Sequence, residues 1–245
     1  MSKLHADEKS RLVAPAGREC EPELMDDPQL EPERHISALD GLARINVLSA
    51  SMRIVWQPIR NLAHRNPGRP LRVLDLATGS GDIPIGLWRC AARHNLQLDI
   101  HAVDVSERAL EHARQRALAY QAPVEFRVLD AIREDLPTDF DVITCSLFLH
   151  HLDSDEAHRL LRRMSEAARK MVVVNDLHRC TTGLVLAYLA SRLLTASDVV
   201  RVDAVRSVRA AFTKREVREL ANDAGLSQAK LKSKWPCRYV LTWEN

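Results

Sequence analysis

Val73-Leu74-Asp75-Leu76-Ala77-Thr78-Gly79-Ser80-Gly81-Asp82 is the stretch whose reading decides the fold. A short apolar run reads as a buried strand, with one carboxylate, Asp75, set close to its end. Small residues from Thr78 to Gly81 form a turn, and Ile83, Ile85, Leu87 and Trp88 open an apolar helical pattern behind it. Glycines at such a turn let backbone N–H groups come close to a ligand, and the helix presents its N-terminus there. The stretch therefore predicts a cofactor-binding loop between a buried strand and a helix.

Working outward, strands and helices alternate after Pro70. Strands are expected at Leu71–Ala77, Leu98–Val103, Val124–Leu129, Asp141–Cys145 and Met171–Val174, with helical patterns at Ile83–His94, Glu107–Gln121 and Asp155–Ala168 between them. That alternation implies βαβ units and a parallel sheet with helices on both faces, whose ligands bind at the carboxyl ends of the strands. Thr213-Lys214-Arg215-Glu216 has capping-box spacing and opens a further helix that stops at Gly225. The last strand candidates, Gln228–Lys234 and Tyr239–Trp243, are joined by so short a link that they must form an antiparallel hairpin.

Three regions flank this frame. Residues 1–34 hold prolines at 15, 22, 28 and 32 and are acidic from Arg18 to Arg34, which predicts a largely mobile tail. Residues 35–69 carry two helical patterns, Ile36 to Leu48 and Met52 to His64, available as a cap over the first strand. Residues 70–245 form the ligand-binding domain, and its insert at 180–211 is rich in leucine, as expected of a lid over an apolar ligand. The basic residues Arg201, Arg206, Arg209, Lys214, Arg215 and Arg218 are interleaved with apolar positions and read as a solvated helix face.

Composition narrows the function classes. Apolar residues make up 46%, enough for a sizeable core, and 35 basic against 33 acidic residues leave a net charge of only +2. With aromatics at 4%, nothing suggests a basic groove with stacking rings, so no nucleic-acid partner is expected. Five scattered cysteines without a C-x-x-C pair fit a reducing cytoplasm, and no histidines stand at metal-ligand spacing, so no metal is expected. The longest apolar run is too short to span a bilayer, although transient contact with a membrane surface is compatible with it.

A dinucleotide fingerprint needs G-x-G-x-x-G, and Pro84 stands where the third glycine would be. No Lys or Arg lies between Thr78 and Leu87 to meet a pyrophosphate. Asp104, ending the second strand, can accept both hydroxyls of a ribose. Asp130 can accept from an adenine amino group, with the Ala131 backbone near a ring nitrogen. A nucleoside with a charged amino-acid tail suits these groups.

On these residues the sequence resembles the class I S-adenosylmethionine-dependent methyltransferases, over about 70–177 and again over 213–245. Leu76 to Asp82 is similar to the quinone-biosynthesis C-methyltransferases, with Ala77 in place of the motif's first glycine. Asn175-Asp176-Leu177-His178 and the Leu-rich insert resemble methyltransferases associated with type III polyketide synthases. The resemblance implies a Rossmann-like α/β fold, a seven-stranded mostly parallel sheet with an antiparallel last hairpin and an N-terminal helical cap. It implies S-adenosyl-L-methionine held by Asp75, Ala77, Thr78, Gly79, Ser80 and Gly81, by Asp104 and Val105, by Asp130 and Ala131, and by Ser146.

Methyl transfer is an in-line displacement on an activated donor, so alignment does most of the work, ~7–11 kcal/mol in favourable cases. A phenolic acceptor gains from a base, and His150, His151 and Asp176 stand at the carboxyl edge of the sheet as catalytic candidates. Asn46 and His178 are the candidates for binding the acceptor. The expected activity is methylation, at oxygen, of a small aromatic or lipidic acceptor of phenolic, quinol or polyketide origin, by a monomer or homodimer. Methylation at carbon on a quinone-type ring, a nucleotide-dependent oxidoreductase and a protein that binds the cofactor without turnover are the alternatives.

Overall fold

The computed structural model describes residues 13–27, 29–48 and 51–245. Seven strands, β1 (Leu71–Leu76), β2 (Leu98–Asp104), β3 (Val124–Val128), β4 (Val142–Ser146), β5 (Met171–Leu177), β6 (Lys230–Lys234) and β7 (Arg238–Glu244), form one sheet in the order β3-β2-β1-β4-β5-β7-β6. The first five run parallel, and β7 is antiparallel to both β5 and β6. This is the mixed sheet with a terminal hairpin that the sequence predicts.

The helices are α1 (Pro32–Leu48), α2 (Ser51–Arg65), α3 (Asp82–Arg93), α4 (Glu107–Ala119), α5 (Ser154–Ala167), α6 (Thr181–Leu194), α7 (Asp198–Ala210) and α8 (Lys214–Asp223). Side chains alternate across a strand, and the central strands divide accordingly. Leu74, Ile143, Val172 and Val174 pack with Leu160 and Met164 of α5 and Val217 of α8. Val73, Val142, Met171 and Val173 pack on the other face with Ile54, Ile59 and Leu62 of α2 and Leu87 of α3. Helix starts follow local chemistry. Asp153 and Glu156 make a reciprocal capping box for α5, Thr213 and Glu216 make one for α8, and the Ser106 hydroxyl caps α4.

The acidic segment before α1 departs from expectation. Among its described residues, several are packed against the core. The Arg18 guanidinium lies 3.6 Å from the centre of the Phe212 ring and donates to the carbonyls of Ala210, His150 and Leu152. Asp203 of α7 accepts from the Leu24 and Met25 N–H groups, at 2.8 and 3.0 Å, and Glu23 is buried. Charge explains the docking: Arg206 and Arg209, read from sequence as a solvated face, pair with Glu21 and Glu19. The acidic stretch and the basic helix face are complements.

The insert folds as α6 and α7, which pack on each other and on α1, at the carboxyl edge of the sheet. Among the described residues, no helix is long and apolar enough to cross a membrane.

Arg18→Ala leaves carbonyls and a ring face without their partner, so roughly 2–3 kcal/mol of local stability should go. Hydrogen exchange should show residues 16–25 losing protection while β1 and β4 keep theirs. Unchanged exchange at 16–25 would show that the guanidinium does not anchor the segment.

Candidate active site

Strand order reverses between β1 and β4, so chain leaves their carboxyl ends toward opposite faces and opens a crevice. After Leu76 the turn passes through Ala77 (φ 51), Gly79 (φ 53) and Gly81 (φ 73) before α3 begins. Ala77 is thus held in the left-handed region, which costs a non-glycine residue ~1–2 kcal/mol. A side chain at Gly81 would press on Ala113 and Phe126, whereas nothing lies within 4 Å of where one would stand on Gly79. Gly79 therefore leaves its side of the turn open to a ligand.

Two carboxylates brace the turn. Asp75 accepts from the hydroxyls of Thr78 (2.8 Å) and Thr144 (2.6 Å), and Asp104 accepts from the N–H groups of Gly79 (2.8 Å) and Ser106 (2.9 Å). Burial pushes the Asp75 carboxyl up to about 6, the two hydroxyls offsetting part of the effect and the Asp104 charge adding to it. Asp130 folds its own loop, accepting from the N–H groups of Ile132 and Arg133.

A cavity of about 860 Å³ fills the crevice. Ala77, Thr78, Gly79, Ser80, Asp104, Val105, Asp130, Ala131 and Ser146 line one end of it, and His150 and His151 line it further on. Asp75 and Gly81 stand behind this wall rather than in it, Asp75 reaching it through Thr78. Ala187 and Ala190 of α6, Ser207 and Val208 of α7, and Leu39 and Ile45 of α1 also line it.

The histidines meet a partner that sequence reasoning missed. His150 is buried, and its Nδ1–H donates to Asp176 Oδ1 at 2.7 Å. Its Nε2 lies 3.7 Å from Glu23 Oε1, and His151 Nε2 lies 4.0 Å from Glu23 Oε2. The Ser207 hydroxyl donates to the same carboxylate. Burial works against a charged His150, but Asp176 and Glu23 outweigh it and push the imidazole up to about 10. Burial also opposes charge on Asp176 and Glu23, yet the imidazoles beside them hold both carboxyls below the usual range.

Two candidate positions fare differently. His178 does not line the cavity: β5 continues to Leu177 in its pairing with β7, and the His178 N–H is tied to the Cys237 carbonyl at 2.9 Å. The Asn46 side chain lies outside the described residues. Arg238 also went unread. It is buried in the cavity wall, donates to the Ser51 hydroxyl at 2.6 Å, and is lowered to about 10 by burial. Glu23 sits in a run of seven acids that reads as solvated, and only Leu24, Met25 and Leu30 beside it hint at packing.

Residues 73–171 match the family model of a methyltransferase domain. Over these residues the chain carries a methyltransferase domain. Among curated relatives it is 29% identical over 174 residues to the ribosomal protein L11 methyltransferase of Syntrophotalea carbinolica, covering 71% of this chain and 54% of that one. It is 41% identical over 78 residues to the demethylmenaquinone methyltransferase of Deinococcus radiodurans, covering 31% of each. The chain thus spans about half the length, or less, of these relatives. A candidate O-methyltransferase from Nostoc punctiforme superposes with a TM-score of 0.62 at 22% identity, over all of this chain and 68% of that one, which shows the shared fold.

The cofactor of the methyltransferase domain is S-adenosylmethionine, and the residues present fit it. Ser146 Oγ is buried in the cavity wall with no hydrogen-bond partner among the described residues, and Gly79 leaves the turn open to the same cavity. The cavity lies within the ~300–1,000 Å³ typical of ligand sites.

Asp75 carries a testable cost. Its folded-state pKa of about 6 lies above the usual 3.8, so folding is favoured while it is protonated and weakens as pH rises through that window. Asp75→Asn should therefore gain about 2 kcal/mol relative to the parent chain between pH 4.5 and 7 in denaturant unfolding. A difference that stays flat with pH would show that the carboxyl is not held protonated.

Proposed function

We propose that this chain transfers the methyl group of S-adenosylmethionine to a hydroxyl oxygen on a small apolar aromatic acceptor of phenolic, quinol or polyketide-derived type. One observation carries the reading: a single cavity joins the glycine turn to the Glu23–His150–His151 cluster beneath α6 and α7. Leu39, Ala187, Ala190 and Val208 give its walls apolar surface beside the polar groups of that cluster, Ser207, His35, Ser51 and Arg238. This is the composition expected where a ring is gripped by contact and one oxygen is oriented by polar groups.

In this reading Asp104 holds the ribose hydroxyls, Asp130 and the Ala131 backbone hold the adenine edge, and Val105 covers the ring. Thr78, Gly79 and Ser80 face the amino-acid tail, with Asp75 fixing Thr78 from behind. The cofactor supplies a methyl group on a positively charged sulfur that leaves as a neutral thioether. The protein's task is to bring the acceptor oxygen into line and dispose of its proton.

His150, fixed by Asp176 through Nδ1 with Nε2 facing Glu23, suits orienting the acceptor oxygen better than taking its proton. His151, the most exposed of the three, stands where that proton leaves to solvent, and Glu23 orients the two rings. Asp176 touches neither cavity nor ligand; it is a positioning residue, fixing the His150 ring through Nδ1. Helices α6 and α7 act as the lid that keeps water from the reacting oxygen.

Labelled S-adenosylmethionine and a panel of alkylphenols, quinols and flavonoids test the assignment, with NMR locating the methyl group. A carbon-bound methyl would overturn oxygen transfer. Asp104→Ala should weaken S-adenosylhomocysteine binding at least tenfold by calorimetry, since two hydroxyls lose a charged acceptor. His150→Gln and Glu23→Gln should each lower kcat by ~10²-fold or more while that affinity changes less than threefold.

A further inference from the structure

We propose that Glu23, His150 and His151 bind a divalent transition-metal ion, which takes the acceptor oxygen as a further ligand; this deepens the methyl-transfer reading and rests on it. One carboxylate oxygen and two imidazole nitrogens lie within 4.8 Å of one another. Glu23 Oε1 lies 3.7 Å from His150 Nε2, and Glu23 Oε2 lies 4.0 Å from His151 Nε2. Metal–ligand bonds of ~2.1 Å require each group to close inward by roughly half an ångström. Side-chain rotation covers that distance.

The surroundings are those of a metal ligand set rather than of a chance cluster. Metal-bound imidazoles as a rule pass their second N–H to a carboxylate or carbonyl, which turns the other nitrogen's lone pair toward the ion. Asp176 does this for His150, accepting from Nδ1 at 2.7 Å, so that Nε2 is the atom facing Glu23. The Ser207 hydroxyl orients the Glu23 carboxylate in the same manner. Glu23 and His150 are buried, which lowers competition from water, and the His151 side chain is 25% exposed.

Three ligands on one side leave coordination positions open toward the cavity that all three residues line. Two imidazoles with one carboxylate favour zinc, iron(II), manganese or cobalt over magnesium or calcium, which prefer oxygen donors. The ion's role is that of a Lewis acid. The acceptor hydroxyl binds to it and releases its proton to water, and the metal-bound oxygen then forms the new O–CH3 bond. The methyl–sulfur bond breaks with its electron pair remaining on sulfur, so no oxidant or reductant is needed.

The test uses the full chain without a histidine tag, stripped by chelator and then dialysed against Co2+, Zn2+ or Mg2+. The expected result is one equivalent of Co2+ with a visible d–d absorption band, displaced by Zn2+ and not by Mg2+. Glu23→Gln and His151→Gln should each weaken Co2+ binding by more than tenfold. Circular dichroism confirms folding, and S-adenosylhomocysteine affinity should stay within threefold. Absence of the band in the folded parent chain, or binding in both variants as tight as in the parent, overturns the site and identifies the cluster as ion pairs alone. Full methylation by the stripped protein would also overturn the ion's role while leaving methyl transfer intact. Stoichiometric Co2+ binding lost in both variants, with no methylation of any hydroxyl acceptor, would uphold the metal site and refute the acceptor assignment.

Discussion

A buried carboxylate spans the point where the sheet reverses its strand order. Asp75, one residue before the end of β1, accepts one hydroxyl from the turn and one from Thr144 on β4, across the crevice floor. The two strands separate just beyond it, and everything that grips the cofactor depends on how they separate. Two hydroxyl donors only partly compensate the carboxylate's burial, which is why its proton is held so firmly. The chain accepts a less stable centre in exchange for a turn whose backbone is fixed before any ligand arrives.

From that floor the site grows outward in two different ways. The cofactor end is built from strand termini and their following turns, short segments whose geometry the sheet sets directly. The other end, where the proposed acceptor would lie, is assembled from pieces distant in sequence: the segment around Glu23, the turn after β4, the end of β5 and the faces of α6 and α7. The first end resembles its relatives at the level of a motif. The second is where methyltransferase domains of one fold diverge in what they act upon.

That division also marks what was legible in the sequence. That Gly79, Asp104 and Asp130 would line the crevice could be read because small residues and carboxylates at strand ends carry local meaning. The terminal hairpin could be read because four residues cannot make a crossover, and α8 because its capping box announces its start. Glu23 could not be read. An acid among six others looks solvated until the basic face of α7 is placed opposite, and that pairing exists only in three dimensions. His178 misled for a related reason: β5 runs farther than its apolar core suggests, since β7 pairs with it through Leu177.

The Glu23–Ser207 contact closes a loop of 184 residues, and the Arg18–His150 contact one of 132. Contacts of such separation are entropically expensive to close and form late in folding. The cofactor turn, by contrast, needs only β1, β2 and β4 to be in place. During synthesis, residues 13–27 must therefore wait until α7 has left the ribosome, and the acceptor end is the last part of the site to be completed. A chain emerging in this order holds the elements of a cofactor cradle well before it can present one to an acceptor, which separates in time the two halves of a single cavity.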